Sequence, residues 1–161
     1  MENEGIEKMN TDKYLNPFSL SATFRAYVYD AVILAWETKY MNSTFPTFKS
    51  KTLRSDCGLD LMMLDTLDEV LLRDQDIWPT DEFLIFHKNG SGYACLFKRL
   101  RDTFAHGHYE LSGQDWITIR HRYKGPKEKM AKTRAFGRLR TGTLKRLVAF
   151  LDAAPLAQEA A

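Results

Sequence analysis

Apolar residues recur at intervals of three and four along Ser19–Met41, where Phe24, Tyr27, Val28, Ala31, Leu34, Ala35 and Thr38 fall on one stripe. That period predicts an amphipathic helix, with Asn16-Pro17 as its entry turn. Asn42–Asp56, rich in Ser, Thr, Pro and Lys, reads as a connecting loop. Gly58–Trp78 repeats the helical spacing through Leu59, Met62, Met63, Leu67, Val70 and Leu71, and Pro79 ends it. Thr80–His87 supports two readings. Thr80 followed by Asp81 and Glu82 is a helix start, yet Phe83–Phe86 equally suits an extended buried run. Asn89-Gly90-Ser91-Gly92 is a break, with Ser91 as the N-cap of a third helix over Tyr93–His106 and Gly107 as its terminal glycine.

The period then changes. Trp116, Thr118, Arg120 and Arg122 alternate with Ile117, Ile119, His121 and Tyr123, so Gln114–Tyr123 predicts a strand. Lys124–Thr133 is a charged turn containing Gly125-Pro126, and Arg134–Arg140 a short return strand. Thr141 or Thr143 caps a last helix with Leu144, Leu147, Val148 and Leu151 on one side. The pattern as a whole predicts one mainly α domain over 1–161, with a β-hairpin before the last helix and loose tails at 1–15 and 153–161. Trp36, Trp78 and the Met62-Met63 pair read as core.

Composition adds a lopsided charge. Residues 1–80 hold 8 Lys/Arg against 13 Asp/Glu, whereas residues 96–146 hold 14 against 4. A basic half of this kind suits a polyanionic partner. Cys57 and Cys95 lack metal-ligand spacing, and with no secretory leader they are expected as free buried thiols in a reducing cytoplasm. The longest apolar run, Ala31–Trp36, is too short to span a bilayer, so no membrane partner is expected.

The candidate chemistry lies at the end of the third helix, in Leu100-Arg101-Asp102-Thr103-Phe104-Ala105-His106-Gly107. On a helical wheel Tyr93, Leu96, Phe97, Leu100 and Phe104 form the core face, with Lys98, Arg101, Asp102, Ala105 and His106 opposite. Asp102 and His106 are four apart, so the carboxylate is placed to fix the imidazole tautomer. Arg101 and His106 stand about 140° apart around the axis, so one helix does not aim both at one atom. Two copies crossing at the small Ala105 would bring two arginines and two histidines to one phosphate. An imidazole shuttles protons near neutral pH and a guanidinium matches phosphate geometry. Together they serve phosphodiester cleavage without metal.

Arg101-Asp102-Thr103-Phe104-Ala105-His106-Gly107 resembles the signature of the HEPN superfamily, an arginine and a histidine separated by four to six residues, here in its R-polar-x-x-A-H-G form. The resemblance implies a HEPN-like helical bundle that forms a homodimer through the Tyr93–His106 helix. It also implies a metal-independent endoribonuclease of toxin–antitoxin or phage-defence systems, with an antitoxin or sensor protein as partner and no cofactor. In that family the 2′-hydroxyl of RNA attacks the neighbouring phosphate and leaves a 2′,3′-cyclic phosphate. His106 would then be the acid/base, Arg101 the phosphate ligand and Asp102 the group orienting His106, in a slot where asparagine is commoner. One toxin branch carries a tyrosine two residues after the histidine. That slot is His108 here, with Tyr109 one later, so regulation by nucleotide attachment is not implied.

The hairpin supplies the expected RNA contacts Arg120, Arg122, Lys124, Arg134 and Arg138, interleaved with Tyr123 and Phe136, and His108, just past Gly107, is read as a further RNA contact or a second base. His106-Gly107-His108 matches no zinc pattern, and no metal is expected. No glycine-rich phosphate loop and no Gly-x-Ser-x-Gly element occurs. The alternative reading is a non-catalytic HEPN module that binds RNA or a partner protein.

Overall fold

A computed structural model describes residues 15–155 except Ser91. The expected N-cap role of Ser91 and nearly all of the two expected tails therefore lie outside the described residues. Helix α1 (Ala22–Val28) is capped by the Ser21 hydroxyl, which accepts from Phe24 N–H at 3.1 Å. It continues as wider π-helical turns over Tyr29–Leu34 and Trp36–Tyr40. Then come α2 (Ser50–Cys57), β1 (Asp60–Leu64), α3 (Leu67–Gln75), β2 (Phe83–His87) and α4 (Gly92–Ala105). The last described elements are β3 (Tyr109–Leu111), β4 (Trp116–Tyr123), β5 (Lys132–Arg140) and α5 (Thr141–Ala153).

The five strands form one sheet in the order β1-β2-β5-β4-β3, with β1 and β2 parallel and the other pairs antiparallel. This is an α/β fold, and it corrects the expectation of a mainly α, all-helical bundle. The first helix, α4, α5 and the β4–β5 hairpin stand where the pattern places them. The expected helix over Gly58–Trp78 is instead β1 followed by α3. Leu61 packs into the main core while Leu64 packs on the opposite side of the sheet, so β1 is apolar on both faces. Such a run carries no strand-like alternation and satisfies the helical spacing equally well. The helix starts only at Thr66, whose hydroxyl accepts from Glu69 N–H at 3.2 Å, with Asp68 and Glu69 in the first turn. Thr80–His87 resolves as the buried strand β2, and part of the expected 42–56 loop is α2.

One sheet face holds the main core. Leu84, Phe86, Ile117, Ile119, Ala135 and Leu139 meet Leu96, Leu100 and Phe104 of α4, and α5 contributes Leu144, Leu147 and Leu151. The first helix lies over α4, with Trp36 and Tyr40 5.7 and 5.2 Å from the Phe97 ring. Met62 is exposed and Trp78 partly buried, so these two of the expected core residues sit at its margin. Cys57 and Cys95 are free and buried. Among the described residues no helix is long and apolar enough to cross a membrane.

The other face is covered by α3, where Val70 packs on Phe83, Ile85 and Phe136. An ion pair fixes it. Arg120 of β4 donates to Asp74 Oδ1 from Nε and Nη2 at 3.2 and 2.9 Å, and Thr133 donates to Oδ2 at 3.0 Å. Trp78 donates to the Asp74 carbonyl at 3.0 Å and lies under the Arg120 guanidinium. Gly137 of β5 is the other tight point, since a Cβ there would lie 2.3 Å from the Phe83 carbonyl oxygen of β2.

Removing one partner of a buried pair strands the other charge in the interior. Asp74→Ala is expected to lose about 3–5 kcal/mol of stability in urea unfolding. The double variant Asp74→Leu, Arg120→Met is expected to recover most of that loss.

Candidate functional site at the end of helix α4

Helix α4 stops because Gly107 adopts φ +69°, a left-handed turn that suits glycine. His108 N–H donates to the Thr103 carbonyl at 2.9 Å and Gly107 N–H to that of Phe104 at 3.4 Å. These two bonds are the Schellman arrangement of a helix end. The turn swings the chain back along β4, where Arg120 N–H donates to the His108 carbonyl at 3.1 Å. Arg120 faces α3, so its neighbour His121 must face α4.

Three imidazoles meet as a result. The ring of His106 lies 5.8 Å from that of His108 and 6.0 Å from that of His121, and the last two are 5.1 Å apart. Nδ1 of His108 is 2.9 Å from Nδ1 of His121. His106 is exposed, His108 half-buried and His121 2% exposed. Burial, the neighbouring His108, and then the charges of Arg99, His106 and Arg134 push His121 down to about 3. Burial, with the charge of His106, also holds His108 below the usual histidine value.

His87, the fourth histidine of the chain, extends the cluster along the sheet end. Arg99 reaches its Nδ1 at 3.3 Å and its carbonyl at 3.4 Å, and its Nε2 lies 3.2 Å from the Asp65 carbonyl. Because arginine only donates, His87 Nδ1 accepts and Nε2 carries the proton. Burial and the Arg99 charge lower its pKa.

Arg101 stands one and a half turns before His106. Its guanidinium donates to Glu37 Oε1 of the first helix at 2.5 Å and to Asp102 Oδ1 at 2.8 Å. Both carboxylates raise its already high pKa. The expected Asp102–His106 contact is replaced by this one: the Asp102 carboxylate neutralises Arg101, and the ring partners of His106 are His108 and His121. Only Lys98, Ala105 and His106 remain exposed over the last three turns of the helix.

The hairpin residues are distributed differently from their spacing. Arg120 is buried with Asp74, on the sheet face away from the histidines. Arg138 lies over the Trp116 ring at 4.5 Å on that same side. Arg134 donates to Glu128 at 2.6 Å and lies over the Tyr123 ring at 5.5 Å. Arg122 is half-buried, and Lys124 is exposed at the hairpin mouth. The sequence pattern named His121 only as a strand position and did not single out Arg99 or Glu37. The signal for His121 was its alternation with Ile117 and Ile119, which puts a histidine on the apolar face. Glu37 carried none, being 64 residues from Arg101. Among the described residues no group of three His, Cys, Asp or Glu is arranged to hold a metal ion.

A histidine kept neutral by burial binds its proton more weakly folded than unfolded. Its contribution is intact above the unfolded value of about 6.5 and declines as pH falls towards about 3. Stability is expected to drop between pH 6.5 and 4, by up to about 1.4 kcal/mol per pH unit for one proton. His121→Asn is expected to show a shallower slope in chemical unfolding over that range. Among known proteins, the chain matches no family model, no curated protein and no solved structure.

Proposed function

We propose that this chain is a metal-independent endoribonuclease that cleaves RNA by attack of the 2′-hydroxyl on the adjacent phosphate. The observation that carries this reading is the convergence of three imidazoles at the end of α4, one of them exposed. Transesterification needs a group to move protons at the attacking and leaving oxygens, and positive charge against the phosphorane. His106 is the solvent-facing proton shuttle. Arg101 of a paired copy supplies the charge by exchanging the half-exposed Glu37 carboxylate for a phosphate, and such an exposed pair costs little to break. Lys98 and Lys124, both exposed, extend the positive surface for the strand.

The reading rests on the motif residues and on their geometry, because the five-stranded sheet departs from the bundle that HEPN resemblance implies. The cytoplasmic, toxin–antitoxin or phage-defence setting comes with the resemblance, as does an antitoxin or sensor partner. Pairing of two copies would centre on the exposed Ala105, since most of α4 is covered by the sheet and the first helix. The double carboxylate grip on Arg101 favours a second reading, a non-catalytic module that binds RNA or a partner protein.

The test is incubation with total RNA in EDTA, followed by analysis of the new ends. Cuts bearing 2′,3′-cyclic phosphate are expected, reduced about 10²–10⁴-fold in His106→Ala and strongly reduced in Arg101→Ala. RNA retained by the protein yet intact in every lane would favour the binding module.

A further inference from the structure

A hydrogen bond between two Nδ1 atoms needs a proton on one ring and a lone pair on the other. The neutral His108–His121 pair therefore holds opposite tautomers. His121 faces Arg99 of α4, Arg134 of β5, and His106 and His108 of the turn, so every charged or titratable group acting on it disfavours a proton. His108 faces His106 and His121 and is half open to solvent. The arrangement that leaves a lone pair on the ring half open to solvent has the buried His121 as acceptor, protonated at Nε2, and His108 as donor from Nδ1. That leaves a lone pair on Nε2 of His108, whose ring lies 5.8 Å from that of His106.

Resting on the ribonuclease reading, we infer that His108 is the second acid–base group of the site and that His121 is the positioning residue that holds it in the tautomer of a base. The 2′-hydroxyl proton passes to Nε2 of His108 as the 2′-oxygen bonds to phosphorus. The phosphorus–O5′ bond breaks with its electron pair on the 5′-oxygen, which takes a proton from His106. The products are a 2′,3′-cyclic phosphate and a 5′-hydroxyl. His108 then releases its proton to solvent and the exposed His106 regains one, so the protons balance. The positive charge that His108 gains in the step is stabilised by its Nδ1–H bond to His121. Burial of His108 keeps it neutral, and so competent as a base, below the usual histidine range.

Two measurements test this. Nitrogen-resolved NMR of the unaltered chain is expected to show His108 as the Nδ1–H tautomer and His121 as the Nε2–H tautomer. The pH profile of cleavage gives the second readout. His108→Gln is expected to lower kcat by about 10²-fold or more, with KM little changed. His121→Leu lacks the acceptor and is expected to lower kcat and to move the acidic limb, whereas His121→Asn, which keeps one, is expected to restore much of the rate. Cleavage by His108→Gln at the unaltered rate, or His108 found as the Nε2–H tautomer, overturns the inference. RNA left intact by the unaltered chain while the tautomers are as stated overturns the ribonuclease reading, and with it the catalytic role, but leaves the pair in place. The tautomers are read on the unaltered chain, so that arm stands even where a variant does not fold.

Discussion

The buried bond between Asp74 and Arg120 sets the terms for the rest of the molecule. Neither charge is tolerable in the interior alone, so α3 must lie where its carboxylate meets the guanidinium of β4. That fixes which way β4 faces. With Arg120 committed to one side, alternation sends Ile117, Ile119 and His121 to the other. A slip of one residue would bury Arg120 among leucines and lift His121 out from under α4. The register break between His121 and Arg122 falls right after this point, where the strand has already delivered its histidine.

Helix α4 meets that histidine from above, and its own end is equally constrained. The core residues Leu96, Phe97, Leu100 and Phe104 seat it between sheet and first helix, and the left-handed Gly107 reverses the chain within one residue. His106 is left on the solvent side of the reversal and His108 on the inner side. The acidic groups gather on Arg101 and leave the imidazoles to one another. The site is therefore divided into a guanidinium held by carboxylates and a cluster of rings with positive neighbours.

How much of this was legible in the sequence follows from where the partners lie. The span of α4, its glycine stop and the β4–β5 hairpin depend on short-range spacing, and the pattern gives them. Strand β1 was obscured, and β2 stayed one of two readings, because both their faces are apolar, which erases the alternation that identifies a strand. The motif Arg101–His106 was visible, but the roles of its neighbours were not. Spacing shows that Asp102 is able to reach His106, and only the fold shows that Arg101 holds it instead. The hairpin teaches the same lesson: counting cations finds Arg120 and Arg138, but their partners Asp74 and Trp116 decide that they serve the interior and an aromatic ring.

The chain has four histidines, and His87, His106, His108 and His121 all lie at one end of the sheet. Histidine is the only side chain whose unperturbed charge changes between pH 5 and 8. The side chains of this type are therefore gathered at a single end of the fold, and burial holds three of them, His87, His108 and His121, below their usual value. A ligand docking there as the surroundings acidify would meet buried rings that resist taking up charge.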